Sequence, residues 1–220
     1  DYGKVALVAR GSRRAKSRLA GVLRPFLPLN VSWVARSDLG TLTGAEAGGA
    51  PVGLRGDEML AAYYTNELIL NFLHRHDPQP EIFALYGDTL RALGASVEVA
   101  VSLRSFEIEL LSLLGYALNF EYEAGTRQPL RAGQYYEYRQ EQGAVPVTRS
   151  SGPMVFAGDV ITAIRAQRFD DPPVLAAAGR LLREVIGHHL GGRELKSRKV
   201  LLELHRGRLS ASEKRQAESD

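Results

Sequence analysis

Apolar and polar positions alternate with period two over the first fifty residues and change period after that. In GKVALVA, residues 3–9, Val5 and Leu7 fall on one side of a strand and Lys4 and Ala6 on the other, before Arg10 and Gly11 end the run. PLNVSWVAR repeats the pattern, with Leu29, Val31, Trp33 and Ala35 alternating with Asn30, Ser32, Val34 and Arg36, and LGTLTGAEA follows a turn at Ser37 and Asp38. Three strands, each with one apolar face, predict half of a small antiparallel barrel or sheet. Alone they would have open edges and a thin core. The chain starts at Asp1 and Tyr2 without a Met and already within the first pattern, so further strands are expected to precede it.

From about residue 55 the period becomes 3.6. Leu60, Tyr64, Leu68 and Phe72, with Ile69 and Leu73 beside them, predict a helix whose N-cap is Asp57. Ile82, Phe83, Tyr86, Leu90 and Leu93 predict a second, capped by Gly94. Val99, Leu103, Phe106, Leu110 and Leu113 predict a third, stopping at Gly115. Residues 119–155 lose the period and are rich in Gly, Pro and Ser, with strand-like fragments at QYYEYR and AVPVT. That length predicts a small irregular hairpin module rather than a connection. Helical patterns resume in DVITAIRAQ, in PPVLAAAGRLLREVIGHHL up to Gly191, and in SRKVLLELH. Strands followed by helices make the class α+β. The expected organisation is a strand domain over 1–52, a helical domain over 53–210 with its insert near 119–155, and a polar tail over 211–220.

Composition narrows the function. A hydrophobic share of 45% excludes wholesale disorder. No apolar run approaches the roughly 18 residues that a membrane span needs. With no cysteine the chain has no disulfide, thiolate zinc site or cysteine nucleophile, which fits a reducing cytoplasm. The net charge of +3 is modest, but its distribution is uneven: residues 1–30 carry Lys4, Arg10, Arg13, Arg14, Lys16, Arg18 and Arg24 against Asp1 alone.

Five of those cations, Arg10, Arg13, Arg14, Lys16 and Arg18, lie between two strands, so they sit on a tethered loop or short helix. There they can meet DNA phosphates, a contact sensitive to salt and indifferent to sequence; the plainer reading is a solvated turn. Tyr2, Phe26 and Trp33 could stack bases nearby, although Trp33 is in phase with core positions. Tyr135, Tyr136 and Tyr138 form a second aromatic group in which alternation leaves at least one ring exposed; filler on an edge strand is the plainer reading. Lys196, Arg198 and Lys199 either extend a basic path or decorate a helix that Ser197 caps. Arg104 borders the apolar stripe of the third helix. It either grips a carboxylate bidentately or forms an ordinary surface ion pair with Glu107.

Enzyme readings have little support. The five histidines are scattered, and no HExxH, Walker loop, GxGxxG or GxSxG occurs. No catalytic residue, metal site or cofactor is therefore assigned. A protein-interaction scaffold with an incidental basic loop is the alternative to nucleic-acid binding.

KVALVARGSRRAKSRLAGVLRPFLPLNVSW, YTNELILNFL, LRSFEIELLSLLGYALNF and LGGRELKSRKVLLEL, in that order from Lys4 to Leu204, resemble the bacterial recombination mediator RecO family. The resemblance implies an N-terminal OB-fold followed by a helical domain, with two strands of the barrel normally preceding the position of Gly3. It implies binding of single- and double-stranded DNA, annealing of complementary strands, and contact with the single-stranded-DNA-binding protein. It also implies work with RecR to load RecA, at the bacterial nucleoid and without a membrane. Arg10, Arg13, Arg14, Lys16 and Arg18 match the family's basic OB segment. Arg104, with Leu103 and Phe106, matches the surroundings of a pocket for the acidic tail of the single-stranded-DNA-binding protein. Many relatives carry a four-cysteine zinc module where this chain has residues 119–155. Here hydrogen bonds and a few apolar contacts must hold that region.

Overall fold

In the computed structural model the described residues are 2–12, 14, 17, 19–95, 97–197, 199 and 200. They fall into two units, one of residues 1–96 with the chain from 195 onward, the other Val97–Glu194. The expected boundary near residue 52 lies inside the first unit. The polar tail over 211–220 lies outside the described residues.

The first unit begins with β1 (Ala6–Val8), β2 (Leu29–Val34) and β3 (Leu39–Ala47), which pair in the order β1-β3-β2. All three predicted strands are present. The expectation of a purely antiparallel sheet is corrected, because β1 runs parallel to β3 while β2 is antiparallel to it. A closed ring with an odd number of strands cannot alternate direction all the way round. The parallel pair is thus the kind of pairing that a five-stranded OB barrel requires. Gly40 makes room for Leu7 and Trp33 on the sheet, since a Cβ there would lie 2.8 Å from Leu7 Cδ2 and 3.2 Å from Trp33 Cδ1. Trp33 is half-buried over this spot and meets the Tyr2 ring edge-on at 4.8 Å between centroids.

Two helices complete this unit, α1 (Gly56–Phe72) and α2 (Pro80–Gly94). Asp57 is not the cap of α1. Arg55 holds that position in extended conformation, and its N–H donates to Glu58 Oε2 at 3.0 Å, leaving Asp57 in the first turn. Pro80 opens α2, where the lack of an N–H costs nothing. Gly94 lies within α2 rather than capping it; a Cβ there would sit 2.4 Å from Val52 Cγ1, so the residue serves close packing. Phe83 does not join the core either. Ile82, Leu90 and Leu93 define the buried face, and Phe83, one helical step of about 100° from Ile82, is 79% exposed.

No basic residue of α1 lies in its own last turn, and β1's neighbour Lys4 supplies one. Its Nζ donates to Leu70 O at 2.8 Å and also to Leu73 O, two carbonyls of the helix end. The Lys4 carbonyl in turn accepts from His76 N at 3.1 Å. Replacing Lys4 with Met is expected to cost about 1–2 kcal/mol in chemical denaturation. An unchanged midpoint would show that the helix end is satisfied without it.

In the second unit, α3 (Val99–Leu113) and α4 (Gly158–Arg165) both pack on α5 (Pro172–His189). The small residues Ala177, Ala178 and Gly179 let the helices approach. Gly115, at φ +80, ends α3 as expected. Gly191, at φ +63, and Gly192 finish α5 with N–H donors to the His188 and Gly187 carbonyls.

Residues 119–157 form the irregular module, a sheet of order β5-β4-β6 made by β4 (Tyr135–Arg139), β5 (Gly143–Val147) and β6 (Val155–Ala157). The hairpin of β4 and β5 matches the predicted fragments. The three residues of β6 are too few to show a period. Their pairing makes β4 the central strand, which corrects its reading as an edge. Tyr136 and Tyr138 are buried and Tyr135 is exposed, the alternation that the sequence dictates.

A buried carboxylate organises this module. Glu123, 3% exposed, accepts from Tyr136 Oη at 2.9 Å, Thr126 Oγ1 at 2.9 Å and Arg131 Nη2 at 3.3 Å. The fully buried Tyr136 hydroxyl also accepts from Arg131 N at 2.9 Å, so one donor–acceptor chain ties residues 123–131 to β4. Gly158 is required beside it, because a Cβ there would fall 2.2 Å from Arg131 O. This network is the hydrogen-bonded scaffold expected of a cysteine-free module.

Candidate nucleic-acid interface

The loop after β1 is built from short turns. Ser12 N, Arg14 N and Ser17 N donate to the carbonyls of Ala9, Gly11 and Arg14 at 3.4, 3.1 and 2.9 Å, and Gly11 takes φ +72. Farther on, Ala20 N donates to Ser17 O and Leu23 N to Leu19 O. The described residues of this segment are therefore backbone-organised, and the segment is tethered between β1 and β2. Beside it lies a depression of about 420 Å³ lined by Ala9, Gly11, Ser12 and Arg14. Arg10 and Arg14 are exposed, and no carboxylate of a described residue forms an ion pair with either. Arg13, Lys16 and Arg18 lie outside the described residues, as does Arg198. Lys4 belongs to the same cationic stretch of sequence, but its charge is engaged at the end of α1.

Lys196 is exposed, at the start of the segment that returns to the first unit. Glu67 of α1 fixes that start, accepting from Lys196 N at 2.9 Å, Ser197 N at 2.8 Å and Ser197 Oγ at 2.6 Å. Ser197 thus donates to a carboxylate; the capping role expected of its side chain passes to Glu67. Burial pushes the Glu67 carboxyl up. The bonds from Ser197 and Lys196, with the Lys196 charge, outweigh burial and hold the group below its ordinary value. Sequence reasoning missed this contact because its partners are 130 residues apart.

Leu103, Arg104 and Phe106 belong to α3 in the second unit. Leu103 and Phe106 are buried core residues. Arg104 makes the ion pair with Glu107 that the sequence offered, Nη2 to Oε1 at 2.6 Å. It is not an ordinary surface pair, because the two side chains are 19% and 2% exposed. The guanidinium lies across α5 at Gly179, where a Cβ would meet Arg104 Nη1 at 2.8 Å. A glycine on one helix makes room for an arginine on the other.

The fold and this geometry define an α+β protein with a tethered cationic loop on a small mixed sheet. Residues 1–49 match the family described as "Recombination protein O N terminal" and residues 54–199 "Recombination protein O C terminal". The DNA repair protein RecO of Nitrosococcus oceani is 42% identical over 98% of this chain and 88% of its own. That of Methylococcus capsulatus is 39% identical over 90% and 81%, and that of an Azoarcus species 38% over 93% and 86%. The chain belongs to the recombination protein O family, whose work is DNA repair and recombination. Among the described residues no helix is long and apolar enough to cross a membrane.

Proposed function

We propose that the chain is a non-enzymatic recombination mediator that holds DNA by its phosphates, anneals complementary strands and assists RecA loading together with RecR. The observation that carries this reading is the tethered loop after β1, where Arg10 and Arg14 are exposed without an acidic partner among the described residues in a chain of this family. Two backbones approaching each other repel, and cations placed between them reduce that repulsion, so base pairing proceeds without ATP. Arg13, Lys16 and Arg18 share the loop in sequence and are assigned the same role. Lys196 and Arg198 are assigned further phosphate contacts.

Arg104 is proposed to receive the acidic tail of the single-stranded-DNA-binding protein. With Leu103 and Phe106 buried, their part is to seat α3 so that the guanidinium edge is presented. The activity is expected where that protein coats DNA, at the nucleoid. A strand-annealing assay with and without the single-stranded-DNA-binding protein tests the proposal. Annealing of both naked and coated strands without nucleotide is the expected result. Tight binding of an acidic peptide with no DNA binding and no annealing would favour the scaffold reading instead.

A further inference from the structure

A second feature of the first unit has the chemistry of a nucleic-acid site and is separate from the phosphate loop. Beside α1 runs a groove of about 340 Å³ walled by Leu60, Tyr63, Leu70 and Val200, with Asn66 and Lys196 among its polar lining. Tyr63 is 42% exposed, whereas its neighbours Ala61, Ala62, Tyr64 and Thr65 on α1 are buried. Phe26 supports it edge-on, with centroids 5.0 Å apart and planes at 69°.

Phe26 itself takes φ +62, a conformation that bulky residues rarely adopt and that costs on the order of 1–3 kcal/mol when imposed. It ends the basic connection between β1 and β2, two residues after the exposed Arg24. The strained backbone therefore places an aromatic brace where the cationic segment meets α1.

The electrical balance of the groove favours an anion. Among the described residues Glu67 is the one acid lining it, and its carboxylate is engaged by three donors from Lys196 and Ser197. Lys196 is exposed and lines the groove, and Lys199, three residues on, is exposed as well. Asn66 carries both a donor and an acceptor that can meet a base edge. A ring face, a dual-function amide and the Lys196 cation suit a flat heterocycle on an anionic chain. The volume is at the low end of the roughly 300–1,000 Å³ of small-ligand sites.

We propose that this groove takes an unpaired nucleobase of single-stranded DNA against the Tyr63 ring. The inference rests on the reading of the chain as a DNA binder and adds strand selectivity to it. A duplex keeps its base faces inside its own stack, so it can use the phosphate loop but not the groove.

The test compares a fluorescent thymidine oligonucleotide with a duplex of the same length, for the full chain and for Tyr63→Ala and Tyr63→Phe. Tyr63→Ala is expected to weaken single-strand binding roughly five- to hundredfold and to leave duplex binding unchanged, while Tyr63→Phe keeps both. Unchanged single-strand affinity in Tyr63→Ala, or equal loss on both DNAs, overturns the proposal. Loss of acidic-peptide binding with no loss on DNA does so too, by marking the groove as a protein site.

Photo-crosslinking of the unsubstituted protein to a 5-iodouracil single strand gives an answer independent of folding of the variants. The expected adduct is on the peptide containing Tyr63, and adducts confined to other segments count against the groove. Combined replacement of Arg13, Arg14 and Lys16 with Ala separates the two sites. If it changes neither DNA affinity while Tyr63→Ala still lowers single-strand binding, the loop reading fails and the groove stands.

Discussion

Replacement of Glu123 with Ala is expected to destabilise the second unit by about 3–5 kcal/mol, the usual result of removing one partner from a buried charged network. Three donors lose their acceptor at once: the Tyr136 hydroxyl, Thr126 Oγ1 and Arg131 Nη2. Tyr136 cannot turn to water because its side chain is fully buried at the centre of the sheet. Tyr136→Phe should be milder, about 1–2 kcal/mol, since the carboxylate keeps two partners and only Arg131 N loses its acceptor. Chemical denaturation at neutral pH measures both. Hydrogen exchange should place the loss in residues 119–157, and near-native stability of Glu123→Ala would show that apolar contacts alone hold the module.

The same residue sets a dependence on acid. Bonds from Thr126, then from Tyr136, and the nearby Arg131 hold the Glu123 carboxyl below its ordinary value against the opposing effect of burial. The folded state therefore binds its proton less readily than the unfolded chain. The stabilisation is complete above the unfolded value of about 4.3 and is lost as pH falls through the lower folded value. Glu67 contributes with the same sign in the first unit. Acid unfolding of the native chain should consequently be steeper than that of Glu123→Ala.

The second large effect concerns the loop. Replacing Arg13, Arg14 and Lys16 with Ala should lower affinity for single and double strands alike by about a hundredfold near 0.15 M salt. That figure follows from three lost phosphate contacts, each carrying a salt exponent of roughly 0.9 on a duplex and 0.7 on a single strand. At the exposed Arg14 stability should hardly change, since exposed surface substitutions usually stay within about 0.5 kcal/mol. A loss confined to one kind of DNA would point to base or groove recognition instead.

Period-two and period-3.6 patterns located the strands and helices because each element buries one face, and burial leaves a mark on every second or every third to fourth residue. The same logic failed at Phe83, where neighbouring apolar residues made the stripe look wider than the buried face of α2. It also missed β6, three residues with no room for a repeat. Strand direction was not legible, since alternation is the same in parallel and antiparallel pairs, and β1 was read with the wrong sense.

Candidate chemistry divides the same way. A dense cluster such as Arg10 to Arg18 is visible as charge, and its tethering follows from the strands on either side. Lys4 shows the limit: as sequence it is one more cation, and only the tertiary fold reveals that it closes α1. Glu67 with Ser197, Glu123 with Tyr136 and Phe26 with Tyr63 join residues far apart in the chain, so spacing carries no trace of them. For Arg104 the sequence named the right partner, Glu107, but not the burial of that pair.

The most direct test of the phosphate-grip account is the slope of log K against log salt for a single strand, measured on the full chain and on the Arg13, Arg14, Lys16 to Ala variant. The account predicts a slope shallower by about 2–3 units in the variant. An identical slope and an identical affinity would contradict it.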